Sequence, residues 1–273
     1  VNPLSKIEIQ NLTVEYTDKN RRFTALKDVS FSVESGEFVS VIGSSGCGKS
    51  TLLSILEGIN SPAEGTILID GKPISGTGTD RGVVFQHYSL FPWMTARKNI
   101  AFGIKQVKKE ISKAHRLKLA DEYLEKVGLG EFKNQYPSQL SGGMQQRVAI
   151  ARALAMDTDI LLMDEPFGAI DAKNRTILQE LLLKLWEGDG VQEKKTVVFV
   201  THDIDEAILL SDRIIMMSAS PGRVYKEISV PFERPRNRSD LVQTRDYSKF
   251  RNELLSLFYG DIMDKIGGSE VVL

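Results

Sequence analysis

Gly43-Ser44-Ser45-Gly46-Cys47-Gly48-Lys49-Ser50-Thr51 decides how this 273-residue chain is read, because it fits the phosphate-loop pattern G-x-x-x-x-G-K-[ST]. The flanks supply the context in which that pattern has a mechanism. Phe38-Val39-Ser40-Val41-Ile42 reads as a short buried strand, and Leu52-Leu53-Ser54-Ile55-Leu56 as a helix with an apolar face. Between them the glycines let the backbone curl so that its N–H groups converge on phosphate oxygens, and the helix N-terminus adds partial positive charge. Lys49 is expected to reach the β- and γ-phosphates, and the Ser50 hydroxyl to ligate Mg²⁺. A glycine-rich turn before an ordinary helix is the plain alternative, and the strand and helix on either side weigh against it.

Working outward, composition narrows the classes. Thirty-five Lys and Arg balance 36 Asp and Glu, which argues against a nucleic-acid binder acting through a general basic field. The one cysteine, Cys47, cannot form an internal disulfide, so a reducing, cytoplasmic setting is expected. No run approaches the roughly 18 apolar residues of a membrane span, and no charged-then-apolar leader precedes Ile7. Position 1 is Val, so the initiator is expected to lie outside this sequence.

Ile7, Ile9, Leu12, Val14 and Tyr16 alternate with a phase slip near Asn11, which predicts a strand with a bulge. A polar hairpin loop over Thr17 to Arg22 and a second strand over Leu26 to Val33 follow. Turns at Ser35-Gly36, Ser61 to Gly65 and Asp70-Gly71 frame the strand Thr66 to Ile69. Val83-Val84-Phe85 predicts a buried strand ending at Gln86. From His87 to about Leu140 there is no β-rich run, and Leu117, Ala120, Leu124 and Val127 line one helix face, with Gly128 as its C-cap. This span reads as an inserted helical subdomain. A helix from Ser141 follows, then strand Ile160 to Met163, apolar on both faces as in a covered parallel sheet. Next come a helix over Lys173 to Trp186, strand Thr196 to Val200, helix Ile204 to Leu210, strand Arg213 to Met217 and a short strand near Val224 to Val230. That alternation predicts an α/β domain. Arg234, Arg236 and Arg238 are expected in a solvated linker, and the closing amphipathic helix with Leu241, Phe250, Leu254, Leu257 and Phe258 as a packed cap or dimer contact.

Two further stretches carry chemistry. Asp164-Glu165 ends a predicted central strand, where Mg²⁺ needs a carboxylate partner and a neighbouring acid can polarise an attacking water. Leu140-Ser141-Gly142-Gly143 offers a hydroxyl and bare N–H groups at a helix start, a second anion site that suggests service to a neighbouring molecule.

Taken in order, the phosphate loop, Gln86, Leu140 to Gly143, Asp164-Glu165, Gly168-Ala169-Ile170-Asp171 and His202 resemble the nucleotide-binding subunit of ATP-binding cassette (ABC) transporters over about residues 4 to 232. The resemblance implies an α/β P-loop NTPase core with a mixed sheet and an antiparallel β subdomain (1–86 and 158–232). It also implies a helical signature subdomain (87–157) and a C-terminal linker and helix (233–273). It assigns ATP and Mg²⁺ as cofactors and Gly43 to Thr51 as the phosphate cradle. Tyr16, or alternatively Phe23, would stack on adenine. Gln86, Ser50 and Asp164 would attend the metal, Glu165 would act as base, and His202 would contact the γ-phosphate. Ser141, Gly142 and Gly143 would meet the nucleotide of a second copy, and Asp171 would couple the two sites.

Two positions depart from the family pattern, Met144 for Gln and Ile170 for Leu. Implied partners are permease membrane subunits docking a coupling helix near Phe91-Pro92-Trp93-Met94-Thr95 and Asn99-Ile100, a second copy, and indirectly a solute-binding protein, at the cytoplasmic face of the membrane. Aromatic packing inside the helical subdomain is the alternative for that stretch. The segments Met217 to Arg223 and Pro231 to Arg236 look like the nitrate, sulfonate and taurine importer branch. A soluble cassette acting on ribosomes or DNA, and a nucleotide kinase, are the competing readings. Alkylation of Cys47 is expected to block hydrolysis, with Mg-ATP protecting.

Overall fold

The computed structural model describes residues 5–18, 21–168, 170–188 and 194–267, so the tip of the predicted first hairpin lies outside the described residues. The chain forms two compact units, one of residues up to Gly76 and from Phe199 onward, the other Thr77–Val198.

In the first unit, β1 (Ser5–Asp18) and β2 (Arg21–Glu34) pair antiparallel. The predicted bulge is present: register shifts between Ile9 and Leu12, and Asn11 takes φ 50°. β1 also pairs antiparallel with β4 (Glu64–Ile69), and β5 (Lys72–Pro73) closes that four-stranded sheet through the Asp70-Gly71 turn, both residues at positive φ. Separately, β3 (Phe38–Gly43) runs parallel to β9 (Arg213–Ser218), pairing Val39 with Arg213 through Gly43 with Met217. β10 (Arg223–Ser229) adds antiparallel to β9. Every residue of β3 is buried, which is why its sequence is a continuous apolar run around Ser40.

α1 (Lys49–Leu56) and α6 (Ile204–Leu210) belong to the same unit. Ile42, Ile208, Ile214 and Met216 form a core with Tyr247 and Leu254 of the long C-terminal helix α8 (Arg245–Gly267), against which Phe250, Leu257 and Phe258 also pack. The packed-cap reading of that helix therefore describes what is found. The link ahead of it departs from expectation. Arg236 is buried and binds backbone carbonyls, and Arg234 pairs with Asp212 at 2.7 Å, so neither hangs in solvent. A short helix, α7 (Arg238–Leu241), intervenes before α8.

In the second unit, β6 (Arg81–Val84) and β7 (Ile160–Asp164) are parallel. β6 stops at Val84, two residues before its predicted end at Gln86, and Phe85 is exposed. α2 (Ala96–Val107), α3 (Lys113–Lys126) and α4 (Gly142–Met156) share one apolar core that includes Ile100, Ile104, Leu124, Leu140 and Val148. α2 was not anticipated as a helix. α5 (Ala172–Glu187) follows β7, and the chain crosses between the units within β8 (Thr196–Val200). This second unit thus takes in β6, β7 and α5 as well as the helical span 87–157.

Candidate functional site

The loop between β3 and α1 is shaped by glycines at positions where side chains fail. Gly46 and Gly48 take φ 80° and 90°, the left-handed region that L side chains rarely adopt. A Cβ on Gly48 would also overlap Leu26, and one on Gly43 would lie 2.6 Å from both the Cys47 Sγ and the Met217 carbonyl oxygen. Behind the loop stands Gly222, whose N–H donates to Ala25 O at 2.9 Å and whose carbonyl accepts from Lys27 N at 2.9 Å. A Cβ on Gly222 would overlap the Cys47 carbonyl. This buttress was missed: Ser220-Pro221-Gly222 signals only a turn from sequence, and its neighbour in space is 175 residues away along the chain by subtraction of 47 from 222.

Lys49 is largely buried, with Nζ donating to Gly43 O at 2.8 Å and Ser44 O at 3.2 Å. Its ammonium is therefore held at the loop by carbonyl oxygens. α1 begins at this residue with no side-chain cap and no acidic residue in its first turn. A helix start of this kind turns its positive dipole end and its leading N–H groups toward an incoming anion. Ser45, Gly46 and Ser50 are exposed here, and Ser44 and Thr51 half-buried.

Cys47 corrects an expectation. The thiol is fully buried, and burial pushes its pKa up, with the nearby Lys49 charge opposing. A buried, protonated thiol is a poor target for alkylation, so modification should be slow with or without nucleotide.

Tyr16 and the alternative stacker Phe23 are cross-strand partners in β1 and β2, and both are exposed, at 41% and 58%. The fold puts them side by side without choosing between them. His202 is exposed between Thr201 and Asp203, just ahead of α6.

The second unit gathers Gln86 and Glu165. A Cβ built on Gly168 would lie 3.3 Å from Gln86 Nε2 and 3.7 Å from a Glu165 carboxylate oxygen, so both side chains border one bare glycine. Glu165 follows Asp164, the last residue of β7, and takes φ 40°, a strained conformation for a non-glycine residue. The chain turns sharply there, so the two acids do not continue the alternation of the strand. Ala169 lies outside the described residues.

Ser141 is the N-cap of α4, its Oγ accepting from Met144 N at 3.3 Å. Gly142 is crowded by the Tyr88 hydroxyl, 2.7 Å from where a Cβ would sit, and Gly143 faces Asn174 at 3.5 Å. Asn174 in turn donates to Asp171 at 2.7 Å through its side chain and 3.1 Å through its backbone, making Asp171 the N-cap of α5. Those hydrogen bonds hold the Asp171 carboxyl below its ordinary pKa. Ser141 to Gly143 and Asp171 are thus adjoining helix starts. Met144 packs against the helical core, and an apolar residue suits that contact. Tyr88 was also missed. It follows Gln86 by two residues, and Arg152 fixes the same loop by donating to Ser89 O at 2.8 Å.

Residues 91–95 divide their roles. Phe91 packs edge-on to Phe102 with centroids 4.7 Å apart, while Trp93 is 69% exposed. Buried Asn99 accepts from Phe91 N and donates to the Phe91, Met94 and Thr95 carbonyls, fixing the loop's shape.

The donor chemistry also bears on metal. Among the described residues no group of three or more His, Cys, Asp or Glu is assembled to hold an ion. Ser50 in the first unit and Asp164 in the second each carry a hard oxygen donor, the kind of ligand that suits Mg²⁺.

The family model described as ABC transporter matches residues 26–168. This chain belongs to the ABC transporter family. It is 46% identical, over 96% of its length and 94% of the other's, to an uncharacterized ABC transporter ATP-binding protein of Methanocaldococcus jannaschii. A nitrate import ATP-binding protein of Synechococcus elongatus is 48% identical over 87% of this chain and 85% of that protein. A bicarbonate transport ATP-binding protein of Synechocystis is 42% identical over 93% and 89%. Among solved structures, a dimeric ATP-binding cassette in a post-hydrolysis state bound to ADP and Pi superposes with TM-score 0.73 at 39% identity, covering 83% of this chain and all of that one. Family membership makes this chain an ATPase and sets aside the nucleotide-kinase alternative. Among the described residues no helix is long and apolar enough to cross a membrane.

Proposed function

We propose that this chain is the ATP-hydrolysing subunit of an importer for a small inorganic anion of the nitrate or bicarbonate kind. It would work as a head-to-tail pair against permease subunits at the cytoplasmic face of the membrane, with a solute-binding protein delivering the anion. The observation that carries the ATPase half is the uncapped, acid-free start of α1 with the Lys49 ammonium beside it, a cradle of donors with no anion of its own. The solute half is supported by relatives named for nitrate and bicarbonate import.

In this reading Gly43 to Thr51 enclose the phosphates, and Lys49 exchanges the Gly43 and Ser44 carbonyls for phosphate oxygens when ATP enters. Tyr16 or Phe23 stacks on the base. Ser50, Gln86 and Asp164 would hold Mg²⁺, which when bound would supply neutralising charge on the phosphate oxygens. Glu165 orients a water and accepts its proton as the water oxygen bonds to the γ-phosphorus and the bridging bond to ADP breaks. His202 contacts the γ-phosphate. Ser141, Gly142 and Gly143 complete the partner's site, and Asp171 reports one site to the other. Trp93 offers exposed apolar surface to a coupling helix while Phe91 anchors the loop from within.

The test is Glu165→Gln, which keeps the side-chain shape and removes the proton acceptor. ATP should bind with unchanged affinity and an ATP-bound dimer should accumulate in light scattering. Normal turnover by this variant would remove Glu165 from the base role. Co-purified permease in vesicles, offered nitrate, bicarbonate, sulfonate or taurine with the binding protein, then reads the solute as stimulated ATPase activity and uptake.

A further inference from the structure

α6 has only seven residues, two turns, too short to hold its place by its own hydrogen bonds. Its position must come from its neighbours, and what it carries is His202, one residue ahead of its N-cap Asp203. The residues on either side of His202 are both tied to the first turn. Asp203 Oδ1 accepts from the backbone N–H of Asp205 at 2.8 Å and of Glu206 at 3.1 Å. Thr201 Oγ1 donates to Glu206 Oε2 at 2.6 Å and accepts from Asp203 N at 3.0 Å. Where α6 goes, the His202 backbone goes.

The C-terminal segment grips α6 at both ends. At the start, Tyr247 donates its hydroxyl to Asp205 Oδ1 at 2.5 Å. Arg251 donates through Nε to the same oxygen at 2.7 Å and through Nη2 to Oδ2 at 3.2 Å. A two-pronged guanidinium on a carboxylate fixes orientation as well as distance. At the finish, Arg236 Nη1 lies within 3.0, 3.3 and 2.5 Å of the Ile208, Leu209 and Ser211 carbonyl oxygens, and Arg234 Nη2 within 2.6 Å of Leu210 O. Those are the carbonyls that a helix end leaves without partners. Apolar packing of Ile204, Ala207 and Ile208 with Tyr247 and Leu254 holds the pieces together but would tolerate sliding. The polar contacts fix the register.

We propose that the segment from Arg234 to Arg251 is a positioning clasp for His202, with Tyr247 and Arg251 acting through Asp205 to set where the imidazole meets the γ-phosphate. The proposal rests on the reading of His202 as the γ-phosphate contact. It gives the C-terminal extension a part in turnover without touching nucleotide. Tyr247, Arg251, Arg234 and Arg236 are positioning residues, not catalytic ones.

Tyr247→Phe, Arg251→Met and Arg251→Lys in the full chain test it, since each keeps the apolar contact and alters only the polar one. Phe and Met should lower kcat for ATP hydrolysis about tenfold, as a displaced catalytic group does, with KM for ATP within about twofold. Arg251→Lys, which keeps one charged donor, should recover part of the loss. Thermal unfolding of each variant reports whether the fold is intact, and the His202 ring resonances, among three histidines, report displacement directly. Shifted His202 signals with lowered kcat support the clasp. Unshifted signals, or unchanged kcat where His202→Ala is inactive, overturn it. Full activity of His202→Ala would instead overturn the γ-phosphate reading beneath it.

Discussion

Two helices of this protein begin on glycine-rich turns, and they begin differently. α4 starts capped: Ser141 accepts from Met144 N, and the only backbone irregularity is deferred to its far end. α1 starts behind Gly48 in a left-handed conformation, with no side-chain cap from that residue and no acidic residue in its first turn. In isolation α4 is a finished helix and α1 is an unfinished one. On the proposed reading, the contrast separates a nucleotide cradle, which receives an anion at its helix start, from a surface offered to a second copy, which needs a fixed shape before the partner arrives. It also predicts that substitutions at the open end act on ligand affinity, and those at the closed end on folding and on assembly.

The largest effect should come from Lys49→Ala. Removing a charge that ATP is expected to recruit should weaken binding by about 3 kcal/mol, over a hundredfold in Kd, in titration calorimetry on the full chain. Unchanged affinity would collapse the distinction between the two helix starts. Gly222→Ala should come next. Its Cβ would overlap the Cys47 carbonyl, which is backbone and cannot swing away. Relief by shifting the loop should cost about 2 kcal/mol in urea unfolding and weaken ATP binding in step. Gly46→Ala is the comparison: no atom lies within 4 Å of its would-be Cβ, so only the strain of φ 80° is felt. If both substitutions cost the same, the buttress behind the loop is not what shapes it.

What was legible beforehand follows the same division between local and distant causes. The strand, glycine turn and helix around Gly43 to Thr51, the bulge at Asn11, the strand Thr196–Val200 and the helix from Ser141 rest on neighbours in sequence, and each is found. α2 was missed because Ala96, Ile100 and Ile104 are its buried contacts, too sparse among Arg, Lys, Asn and Gly to announce a face. Cys47 looked reachable because the loop was pictured alone; Gly43, Met217 and Lys49 close around it. Arg236 looked solvated because nothing local opposes that, while its partners are carbonyls of a helix more than twenty residues earlier. Of the candidate site, the sequence offered candidate residues but not their grouping: the shared border of Gln86 and Glu165 at Gly168, and Tyr88 against Gly142, depend on tertiary packing.

A smaller effect is expected from Ser141→Ala. Loss of the cap should lower stability by about 1 kcal/mol while leaving ATP affinity at the phosphate loop untouched. Any additional fall in ATPase activity, beyond that of an equally destabilised control such as Ser112→Ala at the cap of α3, would measure its service to the partner's nucleotide. A Ser141→Ala protein that lost ATP affinity as well would mean the closed helix start is not independent of the open one.

The smallest effect tests how completely α4 is closed. Its C-cap is Asp157 at φ 57°, a carboxylate at the end of a helix whose dipole disfavours it. Two lysines offset that: Lys195 Nζ lies 2.8 Å from Asp157 Oδ1 and Lys108 Nζ 2.9 Å from Oδ2. The Lys195 hydrogen bond, opposed by partial burial and assisted by Lys108, holds the carboxyl below its ordinary pKa. A carboxylate with a depressed folded pKa binds fewer protons folded than unfolded. Its contribution is therefore full above the ordinary carboxylate value and is lost as pH falls through the lower folded value. Asp157 is partly exposed, so solvent screening keeps the contribution under about 1 kcal/mol. Asp157→Asn should accordingly lower stability slightly at pH 7 and flatten the acid limb of the stability profile, with the two proteins converging once pH falls below the depressed folded value. An acid limb identical in both would mean that the lysines do not close α4, and that the helix is finished at its start alone.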